Sequence, residues 1–235
     1  MKWNAYCTGV RRGLPVGVGY FSVSFGFGAM AVANGVRALD ATLISLTNLT
    51  SAGQVAGAGI LAAGGGMIEL AMTTIIINMR YFLMSLSVSQ KVENGMSLPK
   101  RLGVSFGITD EVFAVSMQYK GALSASYMAG LIITPVIGWT MGTLTGAVAT
   151  SFMPQTLSNA MGIAMYGMFI AIITPPARQN KAVLFTVALA IAASFAFTYL
   201  PVLNLISGGW AIIIITIIAS AIAAWKFPID VEEEA

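Results

Sequence analysis

The sequence predicts an all-α integral membrane protein, and its composition and the form of its apolar runs carry that prediction. Hydrophobic residues make up 57% of the 235 positions and charged residues only 9%, whereas a soluble domain is about 25% charged. The apolar runs are continuous, while membrane β-strands would alternate apolar and polar residues. Because a helix needs roughly 20 apolar residues to cross the bilayer, the chain has room for about six to eight membrane segments.

The first membrane segment is predicted over residues 14–36, after a basic lead of residues 1–12. Lys2, Arg11 and Arg12 precede an apolar run that ends in Ala-Val-Ala, which is also the pattern of a secretory signal peptide. The apolar run is longer than the roughly 7–15 residues of a signal-peptide core. We therefore interpret it as a membrane span.

The next apolar stretch, residues 39–66, is interrupted in its middle by polar and small residues. Ser51, Gly53 and Gln54 belong to a capping-box pattern, S-x-x-Q, which is typical of a helix start. A helix that begins at membrane depth presents free N–H groups, and transporters hold anionic groups at such ends. We predict a broken helix here and take the three residues as candidate binding residues. The alternative is a continuous helix whose small residues allow close packing.

The third stretch, residues 67–90, is a full span with Asn78 and Arg80 near its middle. Arg80 is about 15 Å along a helix from the polar end of this span, which is too far for its side chain to snorkel easily. An unpaired guanidinium at that depth costs at least a few kcal/mol. We therefore expect Arg80 to be buried and paired with an acid elsewhere in the chain.

A basic loop at residues 91–101 leads to a short apolar segment, residues 102–120, that holds Thr109, Asp110 and Glu111. Adjacent residues point about 100° apart on a helix, so the two acids should not face one ligand. One of them could pair with Arg80 while the other meets a substrate or a proton. The alternatives are an interfacial helix with solvated acids, or a helix that Thr109 caps and whose first turn carries the acids.

The remainder predicts four plain spans, followed by an acidic tail. These spans are residues 122–148, 156–177, 181–201 and 203–225, in a single transmembrane domain of residues 1–226, with the tail at residues 227–235. Gly138, Gly142 and Gly146 share one helix face and predict close packing against another helix. Glu69, near a span end, is expected to lie at the membrane interface.

The topology has two solutions. With eight full spans, the basic loop 91–101 lies outside the cell, against the bias that places lysine and arginine in the cytoplasm. If residues 39–66 and 102–120 are re-entrant hairpins, Arg37 is the one loop cation outside. Both solutions place the N- and C-termini in the cytoplasm, and the sequence leaves the choice open.

The composition excludes several classes of function. The chain has no histidine and one cysteine, so histidine-ligated metal sites, histidine-based catalytic triads and an intramolecular disulfide are excluded. No phosphate-binding loop pattern supports an ATP-driven pump. No basic patch interleaved with aromatic residues points to nucleic acid. We expect neither an enzyme nor a cofactor, and we expect the lipid bilayer as the surroundings.

Four motifs in order resemble the AzlC-type family, the large subunits of two-component branched-chain amino acid exporters. They are Thr-Ser-Ala-Gly-Gln at 50–54, Leu-Ala-Ala-Gly at 61–64, Asn-Met-Arg-Tyr at 78–81 and Gly-Ile-Thr-Asp-Glu-Val-Phe-Ala at 107–114. The resemblance covers roughly residues 9–225. Some family members carry an acid and a histidine where this chain has Asn78 and Tyr81.

The resemblance implies export of valine, leucine, isoleucine and related apolar amino acids such as methionine across a bacterial cell membrane, driven by an ion or proton gradient. It also implies a small membrane partner subunit of the AzlD type. The hypothesis for the site is a midplane pocket that joins the break at 51–54 with Asn78, Arg80 and residues 109–111. The alternatives from other classes are an ion channel or carrier, and a scaffold subunit of a transport complex.

Overall fold

The computed structural model describes residues 2–150 and 173–228, together with Phe152, Pro154, Thr156, Gly167 and Ile170. The named helices are α1 (Lys2–Ala33), α2 (Ala38–Thr47), α3 (Ser51–Ala62), α4 (Met67–Lys91), α5 (Leu98–Phe106), α6 (Asp110–Met117), α7 (Ala125–Thr150), α8 (Lys181–Tyr199) and α9 (Gly208–Lys226). A 3₁₀ turn, Leu203–Leu205, precedes α9. Five of these helices, α1, α4, α7, α8 and α9, are long and apolar enough to cross a membrane, which confirms the all-α membrane fold.

Helices α1 and α7 form the central pair, and they run parallel. The packing positions advance together along both helices, from Gly9 against Leu131 to Gly28 against Ala147. The predicted stripe of α7 glycines lies in this interface, with Gly138 against Gly17 of α1. Because both helices begin at the same end, we call that end the N-terminal face and the other end the opposite face.

A side chain at Gly138 would prevent this approach. Its Cβ would overlap the backbone carbonyl of Gly17, and backbone cannot rotate away as a side chain can. We expect Gly138→Ala to lower the free energy of unfolding by about 1–3 kcal/mol. On heating in detergent, the monodisperse gel-filtration peak should therefore disappear at a lower temperature. Gly59→Ala is the control, since a Cβ at Gly59 meets nothing within 4 Å; equal losses from both changes would contradict the packing.

The first hairpin, α2 and α3, enters from the opposite face and returns to it. Near its two outer ends, Ala41 and Ala58 pack with Phe27 and Ala31 from the last turns of α1. At its tip, Leu49 instead packs against Tyr20 in the middle of α1. The two helices have 10 and 12 residues, about 15 and 18 Å, so neither crosses a hydrocarbon core of about 30 Å.

The second hairpin, α5 and α6, enters from the N-terminal face. Lys91, the last residue of α4, lies at that face. Its backbone carbonyl accepts at 2.8 Å from the N–H of Leu123, two residues before α7 begins, and its ammonium donates at 2.6 Å to the carbonyl of Met117, the last residue of α6. At the tip, Gly107 packs on Ile132 of α7. The re-entrant solution is therefore the one observed for both hairpins. Helix α5 begins at Leu98, so the basic loop is shorter than predicted.

Glu69 lies in the first turn of α4, at a span end, and is buried within the protein. Its carboxylate accepts from the backbone N–H of Gly209 at 2.9 Å and from the Ser207 hydroxyl. Both donors lie at the N-terminus of α9, where a negative charge is favourable. This contact fixes the start of α9 beside the start of α4.

The predicted span 156–177 falls largely outside the described residues, and so does the acidic tail beyond Pro228. The other predicted plain spans are confirmed as α7, α8 and α9, with boundaries that differ by a few residues. Helix α1 begins at Lys2, so the basic lead is already helical.

Candidate functional site

The tips of the two hairpins approach each other beside the middle of α1 and α7, and a cavity of about 1180 Å³ opens there. Its described lining is Pro15, Val16, Gly19, Tyr20, Val23, Leu49, Ser51, Ala52, Ile77, Arg80, Tyr81, Asp110, Glu111, Trp139, Ile173 and Thr216. Both hairpins, both central helices and α4 contribute. Four predicted site residues, Ser51, Arg80, Asp110 and Glu111, therefore share one cavity.

Arg80 is paired with Asp110. Its Nη2 lies 2.8 Å from Asp110 Oδ2, and its guanidinium stacks over the ring of Tyr81 with Cζ 5.1 Å from the centroid. The expectation that Arg80 is buried is wrong, because 50% of its side chain and 45% of that of Asp110 are accessible. The guanidinium lines the cavity, so it is shielded by protein on one side only.

Glu111 is held by a different partner. Its carboxylate accepts from the hydroxyl of Tyr20, and the same hydroxyl lies 2.7 Å from Thr109 Oγ1. Thr109 is the N-cap of α6 and its Oγ1 accepts from the N–H of Val112, so the capping alternative is the observed geometry. Asp110 and Glu111 take different partners, and both line the cavity.

The break between α2 and α3 is confirmed, but the capping box is not. The N-cap of α3 is Thr50, whose side chain makes no capping bond and is hydrogen-bonded to Asn48 Oδ1 at 2.7 Å. Ser51 is the first helical residue. The Gln54 side chain does not fold back on the backbone, because Trp139 Nε1 and the Ser45 hydroxyl both donate to its Oε1 at 3.3 Å. The first-turn amides of α3 therefore have no side-chain cap.

Two polar atoms beside this break are buried and have no partner among the described residues. They are Nε2 of Gln54, a side chain that is only 1% exposed, and Oδ1 of Asn78. Gly53 lies against the Asn78 amide, since a Cβ at Gly53 would be 3.0 Å from Asn78 Nδ2. Buried polar atoms of this kind require an explanation, such as a ligand or an ordered water.

Sequence reasoning missed Tyr20 and Trp139, which connect the parts of the site. Their rings pack edge to face with centroids 5.0 Å apart. Tyr20 bonds the second hairpin and Trp139 bonds Gln54 of the first. A signal was present, since a phenol or indole in the middle of a span needs a polar partner there.

Comparison with known proteins identifies a family and two related membrane proteins. The sequence model of the family described as "AzlC protein" matches residues 15–153. "Inner membrane protein YgaZ" of Escherichia coli (strain K12) is 25% identical over 78% of each chain. An "Uncharacterized membrane protein" of Archaeoglobus fulgidus is 27% identical over 91% of each chain. No solved structure shows a significant match. The matched segment contains α2 to α7, both hairpin tips and the Arg80–Asp110 pair, and this protein is a multi-pass membrane protein that belongs to the AzlC family.

Proposed function

We propose that this protein is a secondary transporter that exports branched-chain and related apolar amino acids through the cavity between the hairpin tips. The observation that carries the proposal is the composition of the cavity wall. The lining includes charged and polar groups, namely the two acids, Arg80 and the uncapped start of α3, and also apolar side chains, among them Val16, Leu49 and Ile77. A zwitterion with an aliphatic side chain needs both kinds of group.

The substrate carboxylate belongs at the start of α3 in this proposal. Ser51 and Ala52 line the cavity there, and helix N-termini bind anions through free N–H groups. Gln54 lies one turn along, buried and outside the described cavity lining, and we propose that its unpartnered Nε2 becomes a further donor when the substrate carboxylate binds. Asn78 lies beside the same turn on α4. Because Asp110 already neutralises Arg80, the guanidinium is less available to the substrate.

The substrate ammonium belongs beside Glu111, whose carboxylate is bonded to a phenol and not to a cation. Discrimination by one methylene is worth only about 1–3 kcal/mol, so valine, leucine, isoleucine and methionine should compete.

A small membrane partner of the AzlD type is part of the proposal. The exposed sides of three long helices are available to this partner. Of the most apolar 18-residue stretch, only 11% is buried in α4, none in α8 and 17% in α9.

We further propose that the N-terminal face is cytoplasmic. All but two of the 12 lysines and arginines lie at that face, and the exceptions are Arg37 at the opposite face and Arg80 in the cavity. Lysine and arginine in short loops favour the cytoplasm, and both termini would then lie there.

A cysteine in the loop between α4 and α5 tests this orientation. In a Cys7→Ser background, Asn94→Cys should resist a membrane-impermeant maleimide in whole cells and react after permeabilisation. Asn34→Cys, at the opposite face, is the control and should react in whole cells. Labelling of Asn94→Cys from outside would reverse the orientation.

Valine counterflow in proteoliposomes tests the transport function. The protein, with and without its partner subunit, should exchange external labelled valine for internal unlabelled valine or leucine. Ion flux without amino acid exchange would favour a channel or carrier. If the complex with the partner subunit still exchanges valine after the cavity residues of this protein have been altered, a scaffold role would be favoured.

A further inference from the structure

Glu111 differs from the other acids that the structure describes in having no basic side chain and no backbone N–H as partner. Asp40 pairs with Arg37, Asp110 pairs with Arg80, Glu69 accepts from the N–H of Gly209 and Glu93 accepts from the N–H of Ala125. Glu111 accepts from the Tyr20 hydroxyl through one carboxylate oxygen. Among the described residues its other oxygen has no partner.

The described lining therefore carries one uncompensated negative charge. Arg80 supplies one positive charge, and Asp110 and Glu111 supply two negative charges. A carboxylate at membrane depth without a cation costs several kcal/mol. The cavity should consequently hold a cation on Glu111 whenever it is closed from water.

The hydroxyls beside Glu111 can accommodate either a charged or a neutral carboxyl group. With Glu111 ionised, the Tyr20 hydroxyl donates to the carboxylate and the Thr109 hydroxyl can donate to the Tyr20 oxygen, 2.7 Å away. With Glu111 protonated, the carboxyl proton can be donated to Tyr20, and Tyr20 can donate to Thr109. Since a hydroxyl both donates and accepts, this reversal moves no heavy atom.

We propose that the Glu111 carboxylate is one site with two alternative occupants, a proton or the substrate ammonium, and that this exclusion couples amino acid export to proton entry. The inference rests on the proposed transport function and assigns its coupling step. On the cytoplasmic side the substrate ammonium displaces the proton, which leaves to water. On the other side a proton from water binds the carboxylate and releases the amine.

The surroundings of Glu111 permit this exchange. Among the residues that the structure describes, the titratable and charged groups that face it are Tyr20 from α1, Arg80 and Tyr81 from α4, and Asp110 on its own helix. From α7 the cavity receives Trp139, which does not titrate. Asp110 is occupied by Arg80, so Glu111 is the acid of the described lining that is free to change partners.

Proton release on valine binding tests the proposal directly. Purified protein in weakly buffered solution with a pH-indicator dye should release protons when valine is added at acidic pH, and the release should vanish at higher pH. The apparent affinity for valine should fall by up to about tenfold for each pH unit on the acidic side, because bound protons and bound valine exclude each other. Replacing potassium with sodium should change neither result.

Glu111→Gln should bind valine more weakly, release no protons at saturating valine, and lose exchange driven by a pH gradient. Glu93→Gln, an acid at the N-terminal face, is the matched control and should behave as the unmodified protein. If Glu111→Gln does not fold, Tyr20→Phe keeps the carboxylate and should shift the pH range over which protons are released.

Valine binding without proton release by the unmodified protein, proton release by folded Glu111→Gln, or valine binding that requires sodium would each overturn the proposal. These results would leave the transport function standing. Absence of both valine binding and counterflow would instead remove the proposed function, and this inference with it.

Discussion

Arg80→Ala is expected to abolish valine counterflow and to destabilise the protein. The substitution leaves the Asp110 carboxylate without its cation inside the membrane cavity. Removing one partner of a buried pair typically costs about 3–5 kcal/mol, and an exposed pair is worth about 0–1 kcal/mol. Because this pair is half accessible, we expect a loss between those limits, measured by thermal unfolding in detergent together with counterflow.

The double variant Arg80→Ala with Asp110→Asn should recover much of the lost stability, since it removes the orphaned charge. Arg37→Ala is the matched control, because Arg37 belongs to the other described ion pair, with a side chain that is 81% accessible. That change should leave counterflow intact. Equal stability of the single and double variants would show that the two charges do not interact.

Gln54→Glu is expected to remove most valine transport and to lower stability, because the Gln54 side chain is only 1% exposed and no cation among the described residues faces it. The new carboxylate keeps an oxygen that can accept from Trp139 Nε1 and the Ser45 hydroxyl. It replaces the unpartnered Nε2 donor with a second acceptor and adds a negative charge where the substrate carboxylate is proposed to bind. A lost charge-assisted hydrogen bond costs about 1.5–3 kcal/mol, which is roughly a 10- to 150-fold rise in the valine concentration for half-maximal exchange.

Gln90→Glu makes the same chemical change at an exposed position near the end of α4 and should leave exchange unchanged. Gel filtration should show that Gln90→Glu remains monodisperse, and exchange by Gln54→Glu is measured on its monodisperse fraction. Full transport by Gln54→Glu would place the substrate carboxylate elsewhere and leave Arg80 as the remaining candidate.

The sequence predicted the parts of the fold that depend on local chemistry. The apolar run and its polar ends predicted α4 to within one residue, and the small and polar residues near Ser51 and Thr109 predicted both breaks. The choice between hairpins and full spans was not predictable, because it depends on which helix ends lie at the same face of the protein. The parallel packing of α1 on α7 and the bond from Lys91 to Met117 decide it.

The site was predictable where charge made a partner necessary, and the pairing of Arg80 with an acid at 109–111 is the example. The same rule failed to choose between Asp110 and Glu111, since side-chain direction at a helix start depends on tertiary contacts. Gln54 was misassigned because S-x-x-Q is a local pattern, whereas Trp139 lies 85 positions away. The partners of Glu69 were not predictable, because they lie at the start of α9, 138 and 140 positions away.

The central claim, that substrate occupies the cavity between the hairpin tips, is tested most directly by substrate protection of Ser51, which lines that cavity at the start of α3. In a Cys7→Ser background, Ser51→Cys should react with a small maleimide, and valine should slow that reaction with the same concentration dependence as counterflow. Asn94→Cys, in the loop outside the cavity, should react at the same rate with and without valine. Ser51→Cys protein that exchanges valine yet shows no protection would contradict the claim.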